Sequence, residues 1–278
     1  MKIRAIVTAA CVLAVGVVGA AAARSESNHL WPRFDVAIGS YSVSSSDEIR
    51  VDGSIEVLGR EIDLNRDFGL GDRGSVLAGS FDWAFAEKHS IGLSTYAIQR
   101  DASRSIDRSI DIGGVTFPIG ADASIEFKQT TIEATYDYWF VRHEKLGFGG
   151  SFGLVYLSLD AKAQASYRFG NSGQTTTVRE SASTDLPVPM IGAVAKGSPW
   201  PWLVLHGGLR YLPSVTIDQY SGDAASYAVG ADFYVWGPLA IGAAYTGTYF
   251  NAEIDDSNWN GSVDIANDGF NLYLRASF

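Results

Sequence analysis

Apolar side chains recur at every second position in stretch after stretch of this chain, from residue 34 to its end. Period two belongs to strands with two unlike faces; a helix would need a period near 3.6. "FDVAIGSY" (34–41) sets Phe34, Val36 and Ile38 against Asp35, Ala37 and Gly39. "LAGSFDWAF" (77–85), "TIEATYDYWF" (131–140), "LVLHGGLRY" (203–211), "YAVGADFYV" (227–235) and "LAIGAAYTGTY" (239–249) divide in the same way. "GFNLYLRASF" (269–278) places Phe270, Leu272, Leu274, Ala276 and Phe278 opposite Asn271, Tyr273, Arg275 and Ser277. Thirteen tyrosines and many β-branched residues also favour strands.

The connections alternate in length. "AEKH" (86–89), "RHEK" (142–145), "KGSPWP" (196–201) and "WGP" (236–238) are short, whereas 45–73, 100–120, 168–184 and 254–268 are long and polar, with 218–223 a brief member of the second set. Counted back from Phe278, the parity predicts an all-β, closed antiparallel barrel of about ten strands (8–12), with both termini on the short-turn side. Transmembrane barrels are organised in this way, and strands of about nine to eleven residues suffice to cross lipid when tilted.

A soluble sandwich also alternates, so the composition of each face matters. The apolar face carries aromatics near the strand ends (Phe140, Phe148, Tyr156, Tyr211, Tyr227, Tyr245 and Tyr249), as interfacial girdles require. The opposite face carries Arg33, Asp35, Asp82, Glu133, Asp137, His206, Arg210, Asp232 and Arg275 among small residues.

Residues 1–23 read as a signal peptide: Lys2 and Arg4, an apolar run, then Ala21-Ala22-Ala23. The barrel domain is then 24–278. Cys11, the single cysteine, falls inside the leader, so the remainder carries no thiol. With Lys2 and Arg4 removed, 21 basic residues fall to 19 against 31 acidic ones, a net charge of −12. That excludes nucleic acid as an expected partner, since phosphate recognition needs cations.

These features together resemble Gram-negative outer-membrane β-barrel proteins, over residues 31–278. The resemblance implies an outer-membrane location, contact with outer-membrane lipid and lipopolysaccharide, and a last strand read by the barrel-assembly machinery. Phe270, Leu272, Tyr273, Leu274 and Phe278 would carry that assembly signal. A last strand pairing with the first also removes both open edges, which lipid cannot satisfy.

Chemical motifs are weak. Gly149-Gly150-Ser151-Phe152-Gly153 matches G-x-S-x-G, with Asp160 and His206 following, but no helix follows the serine as a nucleophile elbow demands. Asp256, Asn258, Asn260, Gly261 and Asp264 resemble a calcium loop, yet Asn267 stands where a glutamate is needed. No cofactor or metal is expected. Outer-membrane proteases of ten-strand build share only the strand count, and His89 and His143 belong to short turns rather than to the extracellular mouth. A lipid-directed phospholipase would need a Ser-His pair facing lipid, and His206 points inward.

The inward charges are expected to form a network inside a mostly plugged lumen that passes at most small solutes, because barrels near eight strands are filled by their own side chains. The chain is read as non-enzymatic. The alternatives are surface adhesion or recognition through the segments 45–73 and 100–120, and, after that, a hydrolase.

Overall fold

A computed structural model describes residues 29–51, 62–63, 71, 73–105, 110–112, 115–117, 119–168, 175–217, 220–256 and 259–278; the predicted leader lies outside these. Ten antiparallel strands form the wall: β1 (Phe34–Val51), β2 (Arg73–Ala86), β3 (His89–Ser105), β4 (Asp122–Arg142), β5 (Leu146–Arg168), β6 (Thr175–Trp200), β7 (Leu203–Ile217), β8 (Tyr220–Trp236), β9 (Leu239–Asp256) and β10 (Trp259–Ser277). Each pairs with the next in sequence, and β1 pairs with β10 from Asp35↔Ser277 to Val51↔Gly261, so the sheet closes on itself. Three short pieces accompany the wall: Ile62–Asp63 beside β1, and the hairpin Ile110–Ile112 with Val115–Phe117. The described residues contain no helix.

The strands run well beyond a membrane belt. β4 has 21 residues, β5 has 23 and β6 has 26, about twice what a membrane crossing requires. Parts of the segments expected as loops are wall: β1 reaches Val51, β3 reaches Ser105, β5 and β6 pair out to Arg168↔Thr175, and β9 and β10 to Asp256↔Trp259; most of 45–73 and part of 100–120 lie outside the described residues. The expected polar loop and calcium pattern over 255–268 are therefore mostly strand.

The extra length has its own chemistry. On the lower part of β5, toward the short turns, Phe148, Phe152 and Leu154 point outward and are exposed. Higher on the same face stand Asp160 and Lys162, while Leu157, Leu159 and Ala165 point inward and are buried. β4 repeats this, with Tyr136, Tyr138 and Phe140 outward below, Glu126 and Lys128 outward above, and Ile125 and Phe127 inward above. In β10, Phe270, Leu272 and Leu274 face out below, and Val263 and Ile265 face in above. The side-chain period never changes; the polarity of the two faces exchanges. Below, apolar residues cover the outside and belong in lipid. Above, they are withdrawn into the interior, as water outside requires.

The upper interior is a packed core joining two leaves. Ile125, Phe127, Leu157, Leu159, Leu186 and Met190 come from β4–β6, while Ala224, Phe250, Val263 and Ile265 come from β8–β10. Between β2 and β3 pairing ends at Ala78↔Tyr96, and between β6 and β7 at Tyr211↔Ile191. Above these points the barrel separates into two facing sheets, one of β3–β6 and the other of β7–β10 with β1 and β2.

Candidate functional site

The lower lumen holds the polar side chains. Arg210 on β7 donates from Nε to Ser151 Oγ at 2.7 Å and from Nη1 to Glu133 at 3.0 Å, with Asp137 at 3.9 Å from Nη2. Ser151 in turn donates to Asp137 at 2.5 Å. A second group centres on Asp232, which is almost wholly buried. It accepts from Tyr273 at 2.7 Å and lies 3.5 Å from Arg275 and 3.4 Å from His206. His206 Nε2 is 3.0 Å from the Tyr273 hydroxyl. Arg275 also faces Asp35 at 3.7 Å, and Ser277 donates to Asp35.

Strand register explains why these groups meet. Asp35 and Asp82 are direct cross-strand partners on β1 and β2, an arrangement that is unfavourable for like charges unless cations stand near. Arg275 and Lys196 share a cavity with both. Small residues make the room: a Cβ on Gly242 would lie 2.0 Å from the Tyr273 ring, and one on Gly153 would lie 3.0 Å from Arg210.

Eight of the nine residues expected to line the lumen are thus inside the barrel. Arg33 is not. It precedes β1, is exposed, and lays its guanidinium 5.7 Å from the Phe34 ring centroid. The alternation does not extend to it because the strand has not begun. Lys196 is the residue that sequence reasoning missed. Assigned to a short turn, it instead lies on β6, which continues to Trp200, and it points inward with Val194. Its parity with Met190 and Val194 was the available signal, hidden by the proline-bearing stretch "KGSPWP", which reads as a turn.

The residues before β1 close the lower mouth. His29 stacks on Tyr234 at 3.8 Å between ring centroids, and Leu30 is buried. Trp31 meets Trp139 edge-on at 5.1 Å and donates from its indole N–H to the His143 carbonyl at 2.8 Å. Arg142 and Lys196 lie 4.4 and 4.1 Å from its ring centroid, distances at which a cation is attracted to the ring.

Above this floor are two adjoining cavities of about 220 and 250 Å³, which share His206, Arg210 and Arg275 as lining. Their ceiling begins with Gln129, Thr131, Ser45 and Asn267, all buried, and the interleaf apolar core follows. Beside that core Arg100 on β3 forms a buried ion pair with Asp47 on β1, from one leaf to the other. Burial pushes the Arg100 guanidinium down to about 10, still charged at neutral pH.

Ser151 and His206 are not a catalytic pair. The serine is engaged by Asp137 and Arg210, His206 by Tyr273 and Asp232, and Asp160 stands on the outer face. Of the residues expected to carry an assembly signal, Phe270, Leu272 and Leu274 face outward, while Tyr273 is turned into the network. Phe278 follows β10 and bonds through its backbone to Phe34, donating to one carbonyl and accepting from the Phe34 and Arg33 N–H groups.

Around the outside, two aromatic girdles bound the apolar belt. The lower one runs through Trp83, Phe85, His89, Tyr138 and Phe140, with Trp200, Trp202 and Phe233 further round. Tyr227, Tyr245 and Phe270 form part of the upper one. A belt of exposed Ile, Leu and Val between such girdles, with every strand paired through it, is stable only in lipid.

Among solved structures, the outer-membrane protease OmpT of Escherichia coli superposes with a TM-score of 0.59 at 13% identity, covering 88% of this chain and 96% of that one. The chain is a β-barrel of the bacterial outer-membrane type. Two other outer-membrane barrels are more distant in shape. Ail, the attachment invasion locus protein of Yersinia pestis, has a TM-score of 0.32 at 13% identity, covering 88% of this chain and 98% of that one. The toluene transporter TodX of P. putida has a TM-score of 0.36 at 10% identity, covering 91% and 92%. No family model and no curated protein matches the sequence.

Proposed function

We propose that this outer-membrane barrel is non-enzymatic and non-conducting, with a lumen that is structural and a two-leaf storey above the membrane as its working part. The observation that carries this reading is the buried core between the leaves, in which Phe127, Leu157 and Ile265 stand over the charged lumen. Water and ions entering from above would have to cross packed hydrocarbon, and from below they meet Trp31 and its cations. Most of the inward charges are paired with one another, which suits a network that holds strands in register better than a filter.

Liposomes loaded with the protein in known orientation test this by swelling. No swelling with glycerol, arabinose or potassium salts is expected; swelling above protein-free liposomes would reject the closed lumen.

One observation favours recognition at the upper storey as a second reading. A concave region of about 810 Å³ involves Gln99, Asp101, Glu126, Lys162, Gln164 and Arg179 on the outer side of β3–β6. Both charge signs and two amides suit a polar, uncharged or zwitterionic ligand. Loss of cell-surface binding in Lys162→Glu, with insertion unchanged, would support it, and binding that survives would count against it.

A further inference from the structure

The wall has a lateral opening, and the chemistry around it points to a lipid chain. The ladder between β6 and β7 stops at Tyr211↔Ile191, although β6 continues up to Thr175 and β7 up to Ile217. Each strand keeps its other neighbour: Pro189 pairs with Leu154 and Pro187 with Tyr156 on β5, and Val215 pairs with Gly222 on β8. The register shifts between Leu212 and Val215, and a bulge there bends β7. Pro187, Pro189 and Pro213 bring no N–H to the gap, so its edges cannot complete a ladder. For the same reason they are poor templates for an added peptide strand, which binds through main-chain hydrogen bonds.

The foot of the opening is lipid-facing. Ile191 is 67% exposed and Leu209 is 59% exposed, and Tyr211 stands with them at the upper edge of the belt. Directly above is a cavity of about 130 Å³ whose lining is chiefly apolar, with Leu186, Val188, Pro189, Leu212, Phe250 and Ala252 among it, and which also touches Ser221, Asp223 and Asn251. Leu186 and Phe250 belong to the buried interleaf core, with Val188, Leu212 and Ala252 packed against it. One apolar strip therefore runs from the outer surface, through the seam, into the space between the leaves.

We infer that this seam seats the end of an acyl chain from a lipid of the surrounding outer leaflet, which enters sideways between β6 and β7 and packs against Val188, Leu212 and Phe250. Hydrocarbon is the phase that touches the foot of the opening, and the lining matches it in polarity. An apolar cavity near 150 Å³ holds a molecule the size of benzene, so the space takes the last few carbons of a chain and no headgroup. This site is independent of the lumen's being closed. It would tie the upper storey to its lipid and make the spacing of the leaves responsive to the chain that occupies it.

Photolabelling tests the inference. The protein is placed in bilayers containing a phospholipid with a diazirine at the end of one acyl chain, irradiated, and mapped by mass spectrometry. Adducts are expected on Val188, Leu212 or Phe250 in addition to the outward Leu209 and Tyr211. Adducts confined to outward residues would overturn the proposal. Ala252→Trp, which fills the cavity, is expected to lower the inward adducts at least fivefold and leave the outward ones unchanged; inward labelling that persists at full level would also overturn it. So would labelling of Phe250 by a free diazirine-bearing alkane but not by the lipid probe, which would assign the cavity to a small apolar solute instead.

Discussion

Asn267 on β10 donates to Gln129 on β4 across 3.2 Å, a bond that spans the barrel interior from one leaf to the other. Both residues are buried, Ser45 donates to Asn267 at 2.6 Å, and Gln129 donates onward to Thr131 at 3.3 Å. This chain marks the level at which the lumen changes from charged to apolar. Its members have no water to fall back on, so each is needed by the next. Asn267→Ala should lower stability by about 1–3 kcal/mol, the cost of leaving Gln129 and Ser45 short of a partner, read from urea unfolding in lipid vesicles.

Arg210 holds Glu133, Asp137 and Ser151 together in the lower lumen. Arg210→Ala leaves two enclosed carboxylates without their cation and should destabilise by about 3–5 kcal/mol. The combination Arg210→Met with Glu133→Gln and Asp137→Asn should recover most of that loss, since neutral groups carry no unpaired charge. The temperature at which the folded band shifts on unheated electrophoresis provides the comparison.

Gly242 faces the Tyr273 ring so closely that a methyl group has no place. Gly242→Ala should therefore cost about 1–3 kcal/mol through overpacking. The same change at Gly71, where an added Cβ would meet nothing within 4 Å, should not move the midpoint measurably. Unfolding midpoints of the two variants check the contrast.

Leu154 and Leu157 lie on the same strand three residues apart, one outward and 43% exposed, the other inward and fully buried. Leu157→Ala should lose about 2–5 kcal/mol because it empties part of the interleaf core, whereas Leu154→Ala should lose far less. Equal effects would mean that the polarity of the faces does not exchange as the structure has it.

The period-two pattern made the barrel, its parity and eight of the nine inward charges readable from sequence, because each strand repeats one rule over the membrane belt. The upper storey was not readable in the same way. Leu157, Leu159, Ile125 and Phe127 alternate just as well as Phe148 and Tyr136, and alternation cannot tell which face is inside. That requires knowing where the membrane ends along each strand, a property of ten strands together. Lys196 was hidden by a proline-bearing stretch that resembles a turn but is strand up to Trp200. Trp31 and His29 precede the alternation altogether, and their role as a floor depends on Trp139, Lys196 and Tyr234 from distant strands.

The closed lumen is the central claim, and single-channel recording in a planar bilayer tests it most directly. The chain from residue 24 onward, with insertion verified by protease protection, should give no steady current at 100 mV, a test potential of the order that membranes carry. Trp31→Ala should be equally silent, because the interleaf core still closes the upper path. Stable, ion-selective steps from the unaltered protein would contradict the account and turn Asp35, Asp137, Lys196 and Arg210 from a structural network into the lining of a pore.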